Sequence, residues 1–460
     1  MMKVLLIAHS YPPDPFVGAF RAAKVAEAFR RRGHEVEVVT ARRAGEAPGL
    51  RHDSSGLRVH PVYSAPHPRH LFVWLKERLF RGSAEAESRR PVPCTRPSTA
   101  RERKTSRWKR LLLSALWIPD DLQGFIPPAV VKSLLLFREG VDLVYTTAPP
   151  FSDHLAGLLL KHLTGIRWVA EFRDPWSDNP EKAERVRSAP ADAVNRWLER
   201  SCLLNADRIV AVAESTRDLL AQKLPPSRRD RIVLALNGID ELVDPRDHPR
   251  PAGPFRIVYA GSFAAGRDPR PFLQALALLQ RDRGLGPADI EVEFISRSPL
   301  VQGVSLLHFA AELGIAELVR FTAWMPQREC RQRMYTADLL LLLFWGHRIQ
   351  IPNKLYDYLG ARRPILALVD AEGEAARMLR RTAGHYVVLH DEPAKIRDAL
   401  EQALLSSAEE RSLPLIPTLV EWRSSEQMQR LMEAVLPESD GDPETARSAG
   451  PIAAEMISGA

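Results

Sequence analysis

At 460 residues with 45% hydrophobic side chains, the chain is long enough to bury two full cores, so two globular domains are expected. A formal net charge of +7 and a pI near 9.4 point to anionic partners, whether phosphorylated small molecules, anionic lipid or nucleic acid, without choosing among them. Cys94, Cys202 and Cys330 are widely separated and odd in number, which fits neither a disulfide framework nor a zinc site and suits a reducing cytoplasm.

In chain order, the run MMKVLLIA is cut short by His9 and a YPPDP turn, so it reads as a strand and as neither a signal peptide nor a membrane span. In the helix that follows, Phe20, Ala23, Ala26 and Phe29 recur at helical spacing before Gly33, and EVEVVT resumes as a strand. The βαβ pattern repeats through VDLVYTTAP, the apolar-faced SDHLAGLLLKHLTG, IRWVAEF and DRIVAVAE. It starts again after residue 250 with FRIVYAGSF, RPFLQALALLQRDRG, IEVEFIS, LLHFAAELGI, LVRFTAW, ECRQRMYTA and the buried run DLLLLLFW. Strands alternating with helices predict parallel sheets covered on both faces.

Between the two sets lies ELVDPRDHPRPAGP, rich in proline and charge, which reads as a linker. The predicted fold class is therefore α/β, with two doubly wound Rossmann-like domains at 1–245 and 254–415 and a ligand in the cleft between them. A helix within 416–437 is expected to cross back to the first domain, and 438–460 to be a disordered tail. Residues 81–110, with ten basic against three acidic side chains, read as a basic insertion without apolar periodicity.

Read together, KVLLIAHSYPPDPFVGAFR, TTAPPFSDHLAGLLL, WVAEFRDPW, ADRIVAVAEST with LNGID, IVYAGSFAAGRDP and IPNKLYDYLGARRPILAL resemble GT-B glycosyltransferases of family 4 over roughly residues 3 to 430. The resemblance implies a retaining, metal-independent, hexosyltransferase-type enzyme that needs no cofactor and draws on a nucleotide diphosphate sugar. Its acceptor would be a glycan or a lipid-linked sugar in polysaccharide biosynthesis, met in the cytoplasm or on the inner membrane face.

The helix expected to start at Pro352 follows a buried strand, so the amides of Asn353, Lys354 and Leu355 would point out of its start and favour phosphate. Lys354 would add a mobile positive charge, and Asp357 would accept hydrogen bonds from the ribose hydroxyls. The plain alternative is a surface Lys354–Asp357 pair on a helix that exists for Leu355 and Leu359. Family 4 commonly has glutamate where Asp357 stands and another eight residues earlier, where this chain has Ile349 beside Gln350.

In GSFAAGR the glycines permit close backbone approach, Gly261 and Ser262 are candidate donor-binding residues, and Arg267 stands where relatives put a basic residue against the donor diphosphate; otherwise Arg267 pairs with Asp268 or Asp338. Arg173 and Asp174 end a strand where relatives place the reaction centre, with Asp174 orienting or deprotonating an acceptor hydroxyl; otherwise Asp174 caps a turn. Gly18 and Arg21 belong to the acceptor side, Gly18 alternatively being a helix cap. His154 reads as an ordinary surface or half-buried histidine, and Asn237–Gly238 as interdomain hinge geometry.

Trp108, Leu111, Leu112, Leu116 and Trp117 beside Lys109 and Arg110 suit an anionic membrane surface as well as they suit a core helix after a solvated loop. Nucleic acid is disfavoured because no aromatic stacking platform accompanies the charge. Two other functions stay open: a nucleotide-sugar-binding protein without transfer activity, and a nucleotide-sugar epimerase, which would want more carboxylates and histidines in the cleft.

Overall fold

The computed structural model describes residues 1–14, 16–43, 46, 49–66, 114–179, 188–264 and 266–436. The basic segment 81–110, with Cys94, and the tail 438–460 lie outside the described residues, as do Trp108, Lys109, Arg110, Leu111 and Leu112. No helix among the described residues is long and apolar enough to cross a membrane.

The first sheet contains β1 Lys3–Ile7, β2 Glu35–Ala41, β3 Arg51–His52, β4 Arg58–Val62, β5 Leu143–Ala148, β6 Arg167–Phe172, β7 Arg208–Ala211 and β8 Ile232–Leu234, in the spatial order 3-4-2-1-5-6-7-8. Every neighbouring pair is parallel except β3 with β4. The second sheet contains β9 Phe255–Ala260, β10 Ile290–Ile295, β13 Val319–Thr322, β14 Leu339–Phe344, β15 Ile365–Val369 and β16 Tyr386–Val388, all parallel, in the order 13-10-9-14-15-16. A small hairpin, β11 Leu300–Val301 with β12 Val304–Ser305, stands apart.

The central strands are short runs of Val, Ile, Leu and aromatic residues because both faces of each sheet are covered by helices. Leu339 to Phe344 are buried throughout, and each sheet carries one apolar core on either face. The doubly wound α/β class expected from the sequence is the observed one. The strand Arg58–Val62, second from one edge of the first sheet, and the edge strand Tyr386–Val388 of the second were not foreseen; both are short and only partly buried, and the first contains Pro61.

In each sheet the strand order reverses beside the first strand of its domain, between β1 and β5 and between β9 and β14. Such reversals open crevices at the carboxyl ends of the strands, and the two crevices face one another. The helix Ser424–Val435 returns to the first domain, where Met428, Leu431, Met432 and Val435 join Val4, Leu6 and Val25 in one core. The linker is strapped to the second domain: the Val243 amide donates to Gly360 O at 3.0 Å, and Arg363 Nη2 donates to His248 O at 2.8 Å.

Candidate active site in the interdomain cleft

On the second-domain wall, β14 gives way to a loop and then to the helix Asn353–Ala361. Pro352 has ψ 133° and is the extended residue before the helix, so the helix starts one residue later than expected. The Leu355 amide is not free, because it donates to Pro352 O at 2.9 Å. The amides of Asn353 and Lys354 are therefore the ones left at the helix start.

Lys354 is not a mobile surface charge. Its Nζ is buried, lies 4.1 Å from the centre of the Tyr259 ring and has no hydrogen-bond partner among the described residues. Burial, reinforced by Arg267, pushes its pKa down to about 7. Gly261 has φ 146°, and a Cβ there would stand 2.6 Å from this Nζ, so glycine gives the ammonium its place.

Arg267 lies on the same side. Its Nη1 reaches Ser262 Oγ at 3.5 Å, its guanidinium sits 5.8 Å from the Phe344 ring centre, and its Nε is buried without a partner. Neither alternative carboxylate is engaged with it: Asp268 holds Arg270 and Asp338 holds Arg411 and Arg250. The Lys354–Asp357 pair does not form either. Asp357 faces Arg331, whose Nη2 is 3.4 Å away, and burial raises the Asp357 carboxyl against the pull of that guanidinium.

On the opposite wall, Gly18 is the second residue of the helix Val17–Arg31, and a Cβ on it would overlap the Arg173 guanidinium. Arg173 donates to Pro149 O and keeps its Nε without a partner. Arg21 is committed to the fold: Nε donates to Glu171 Oε1 at 2.9 Å, Nη1 to Leu236 O at 2.8 Å and Nη2 to Ala235 O at 3.0 Å. Burial alone would raise the Glu171 carboxyl, but Arg21 and the Thr147 hydroxyl outweigh it and hold it below the usual range.

Asp174 projects into the cleft, where its Oδ1 accepts from Gln350 Nε2 at 2.8 Å. A cavity of about 250 Å³ brings Asp174 together with Arg173, Arg267, Gln350, Asn353 and Asn237, whose Oδ1 is buried without a partner. A neighbouring cavity of about 500 Å³ shares Arg173 and Asp174 and is closed on the first-domain side by His9, Phe16, Asp121 and Phe151. His154, read as at most half-buried, is fully buried against Phe172 with Nδ1 2.8 Å from Thr146 Oγ1, and burial pushes it down to about 3. Among the described residues no cluster of His, Cys, Asp and Glu could hold a metal ion.

The sequence reading passed over His9, Asp121, Gln350 and His347 as site residues. His9 follows β1 directly, so the rule that ligands meet strand ends would have found it. Nothing in periodicity marks Gln350 or His347: both sit in the loop after β14, and Gln350 meets Asp174 only across the cleft.

Residues 18–238 match the glycosyl transferase 4-like domain. No curated protein matches the chain in sequence. Among solved structures, sucrose-phosphate synthase from Thermosynechococcus elongatus superposes with a TM-score of 0.61 at 14% identity, covering 95% of this chain and 96% of its own. HepE of Anabaena, solved with UDP and glucose, gives 0.59 at 12% identity, covering 95% and 99%. An α,α-trehalose-phosphate synthase (UDP-forming) from Burkholderia xenovorans, solved with glucose-6-phosphate, gives 0.59 at 11% identity, covering 94% and 99%. Residues 18–238 are thus similar to a glycosyl transferase 4-like domain, and the whole chain has the GT-B fold.

Proposed function

We propose that this protein is a retaining, metal-independent glycosyltransferase that moves a sugar from a nucleotide diphosphate donor to a hydroxyl of a glycan or lipid-linked acceptor. The observation that carries the reading is the Lys354 ammonium, buried at a helix start beside Arg267 with no hydrogen-bond partner among the described residues. A diphosphate supplies that partner, and the Asn353 and Lys354 amides add two donors to it. Asp357 would take the ribose hydroxyls. HepE, solved with UDP-glucose, supports a nucleotide sugar as the donor class.

In the transfer, the acceptor oxygen forms a bond to the anomeric carbon while the bond from that carbon to the diphosphate oxygen breaks. The electron pair leaves with the diphosphate. Lys354, Arg267 and the helix start stabilise the growing charge, Asp174 orients the hydroxyl, and the departing phosphate oxygen takes its proton. The acceptor would enter by the 500 Å³ cavity on the first-domain side. Work in polysaccharide assembly, in the cytoplasm or at the inner membrane face, goes with such an acceptor.

One observation favours a second reading, a nucleotide-sugar binder without transfer. Ile349 offers the donor sugar no carboxylate, and its carbonyl already accepts from Thr216 Oγ1 at 3.4 Å. Calorimetry with UDP, GDP, ADP and their sugars tests the donor site. Binding of one nucleotide is expected; binding of none would remove the reading, and binding without turnover would favour the second one.

A further inference from the structure

The loop between β14 and the Asn353 helix crosses the cleft through one side chain. Gln350 Nε2 donates to Asp174 Oδ1 at 2.8 Å, linking groups 176 residues apart on the two domains. Its Oε1 lies 2.9 Å from His347 Nδ1, and the His347 ring stacks on Phe344, the last residue of β14, with centroids 4.5 Å apart at 15°. Both contacts fix the amide the same way round. An ionised carboxylate can only accept, so the NH₂ faces Asp174, and the carbonyl then takes the His347 N–H. Asp174 Oδ2 has no partner among the described residues.

The bond from Gln350 to Asp174 exists only while the domains are together. Beside it, Glu374 on the second domain accepts from the Glu214 amide at 3.2 Å and from the Ser215 hydroxyl on the first. Arg381 Nη1 meets Glu214 Oε1 at 3.1 Å. The Glu374 carboxylate thus sits at the start of a helix belonging to the other domain, where it is favoured by the free amides, and the cleft is held closed next to Gln350.

We infer that Gln350 is a positioning residue that ties the orientation of Asp174 to closure of the cleft, holding one carboxylate oxygen so that the other faces the acceptor. The inference rests on the glycosyl-transfer reading. When the domains part, Gln350 leaves with the second, and Asp174 loses the bond that fixes it. A carboxylate misplaced by about 1 Å costs on the order of a hundredfold in rate, so the chain orients its acceptor group only when donor and acceptor walls meet.

The test uses the full chain with UDP-glucose, GDP-mannose and ADP-glucose, following nucleotide release against glycan acceptors, alongside calorimetry with the free nucleotides. Gln350→Met keeps length and removes both hydrogen bonds. Its kcat is expected to fall about 10- to 100-fold while donor KM and nucleotide affinity stay within twofold. In an Asp174→Asn background the same substitution is expected to cause no further loss, because the two residues act as one unit. His347→Phe keeps the stack on Phe344 but removes the N–H, and is expected to lower kcat in the same direction by a smaller factor. It also serves if Gln350→Met fails to fold. Wild-type kcat in Gln350→Met, or losses that multiply in the double variant, would overturn the inference while leaving the transfer reading intact. A wild type that binds nucleotide and turns over none of the donors would instead remove the transfer reading, and this inference with it.

Discussion

Arg21 and Lys354 are both cations buried on helices that start beside the cleft, one on each domain, and they are treated oppositely. Arg21 is 3% exposed and has Glu171 and two backbone carbonyls as acceptors. Burial works against its charge, but Glu171 outweighs that and raises its pKa. Lys354 has an aromatic face, an arginine neighbour and no acceptor among the described residues, so the same burial drives its pKa down to about 7. A paired buried charge is part of the folded state, and an unpaired one is a cost on the order of a few kcal/mol that a bound anion would relieve. Burial alone does not separate a structural cation from a binding cation; the presence of an acceptor does.

The contrast breaks most visibly at Arg21. Arg21→Ala leaves Glu171 buried without its partner and the Leu236 and Ala235 carbonyls without donors, and is expected to cost about 3–5 kcal/mol of stability, read from urea unfolding midpoints. A loss below about 1 kcal/mol would mean that the pair does not anchor the helix to β6. Lys354→Ala is expected to act with the opposite sign on stability, leaving it unchanged or slightly higher. Its nucleotide affinity should fall by about 1.5–3 kcal/mol, the worth of a hydrogen bond to a charged group. Titration calorimetry on a variant with an unshifted melting temperature checks both halves.

Much of this architecture is legible in the sequence, and the comparison shows where legibility stops. KVLLI, EVEVVTA, LVYTTA, RWVAEF and FRIVYA are strands because short apolar runs bounded by turn residues have few other uses in an α/β chain. The cleft follows from two such domains and the rule of strand ends. The sequence does not say whether a cation finds a carboxylate. Arg21 and Glu171 are 150 residues apart, and Lys354 looks like half of a pair with Asp357 until Arg331 takes the aspartate. The contact of Gln350 with Asp174 is illegible for the same reason, since it forms between domains.

Arg267 sharpens the comparison by a smaller step. Arg267 keeps a weak 3.5 Å contact to Ser262 Oγ, whereas the Lys354 ammonium has no hydrogen-bond partner among the described residues, so less of the arginine's hydrogen bonding waits on a ligand. Arg267→Gln is expected to weaken nucleotide binding by about 1–2 kcal/mol without altering stability, a hydrogen bond to charge being worth about that much. An effect equal to that of Lys354→Ala would show that the two cations bind the diphosphate as equals.

The smallest effect is the most discriminating, because a buried, unpaired ammonium must respond to pH in two opposite ways. The groups facing Lys354 are the Tyr259 ring, Arg267 and Cys330, while Asp357, a turn further along the same helix, faces Arg331. Burial raises Tyr259, pushes Cys330 up to about 11 and raises Asp357 from an acidic start, leaving Lys354 to titrate near 7. With a nucleotide sugar as ligand, whose diphosphate does not titrate near neutrality, binding needs the protonated amine. Affinity should therefore fall roughly threefold from pH 6.5 to 7.5, about 0.7 kcal/mol, with proton uptake on binding. For the free protein the sign reverses. Above about 7 the folded Lys354 has lost its proton while the unfolded side chain keeps one up to its ordinary value of 10.5. The unfolded state then binds more protons, and this group's contribution to stability rises with pH across that window. Lys354→Met should flatten both slopes relative to wild type. If it flattens neither, the ammonium is paired or solvated in solution, and the contrast with Arg21 disappears.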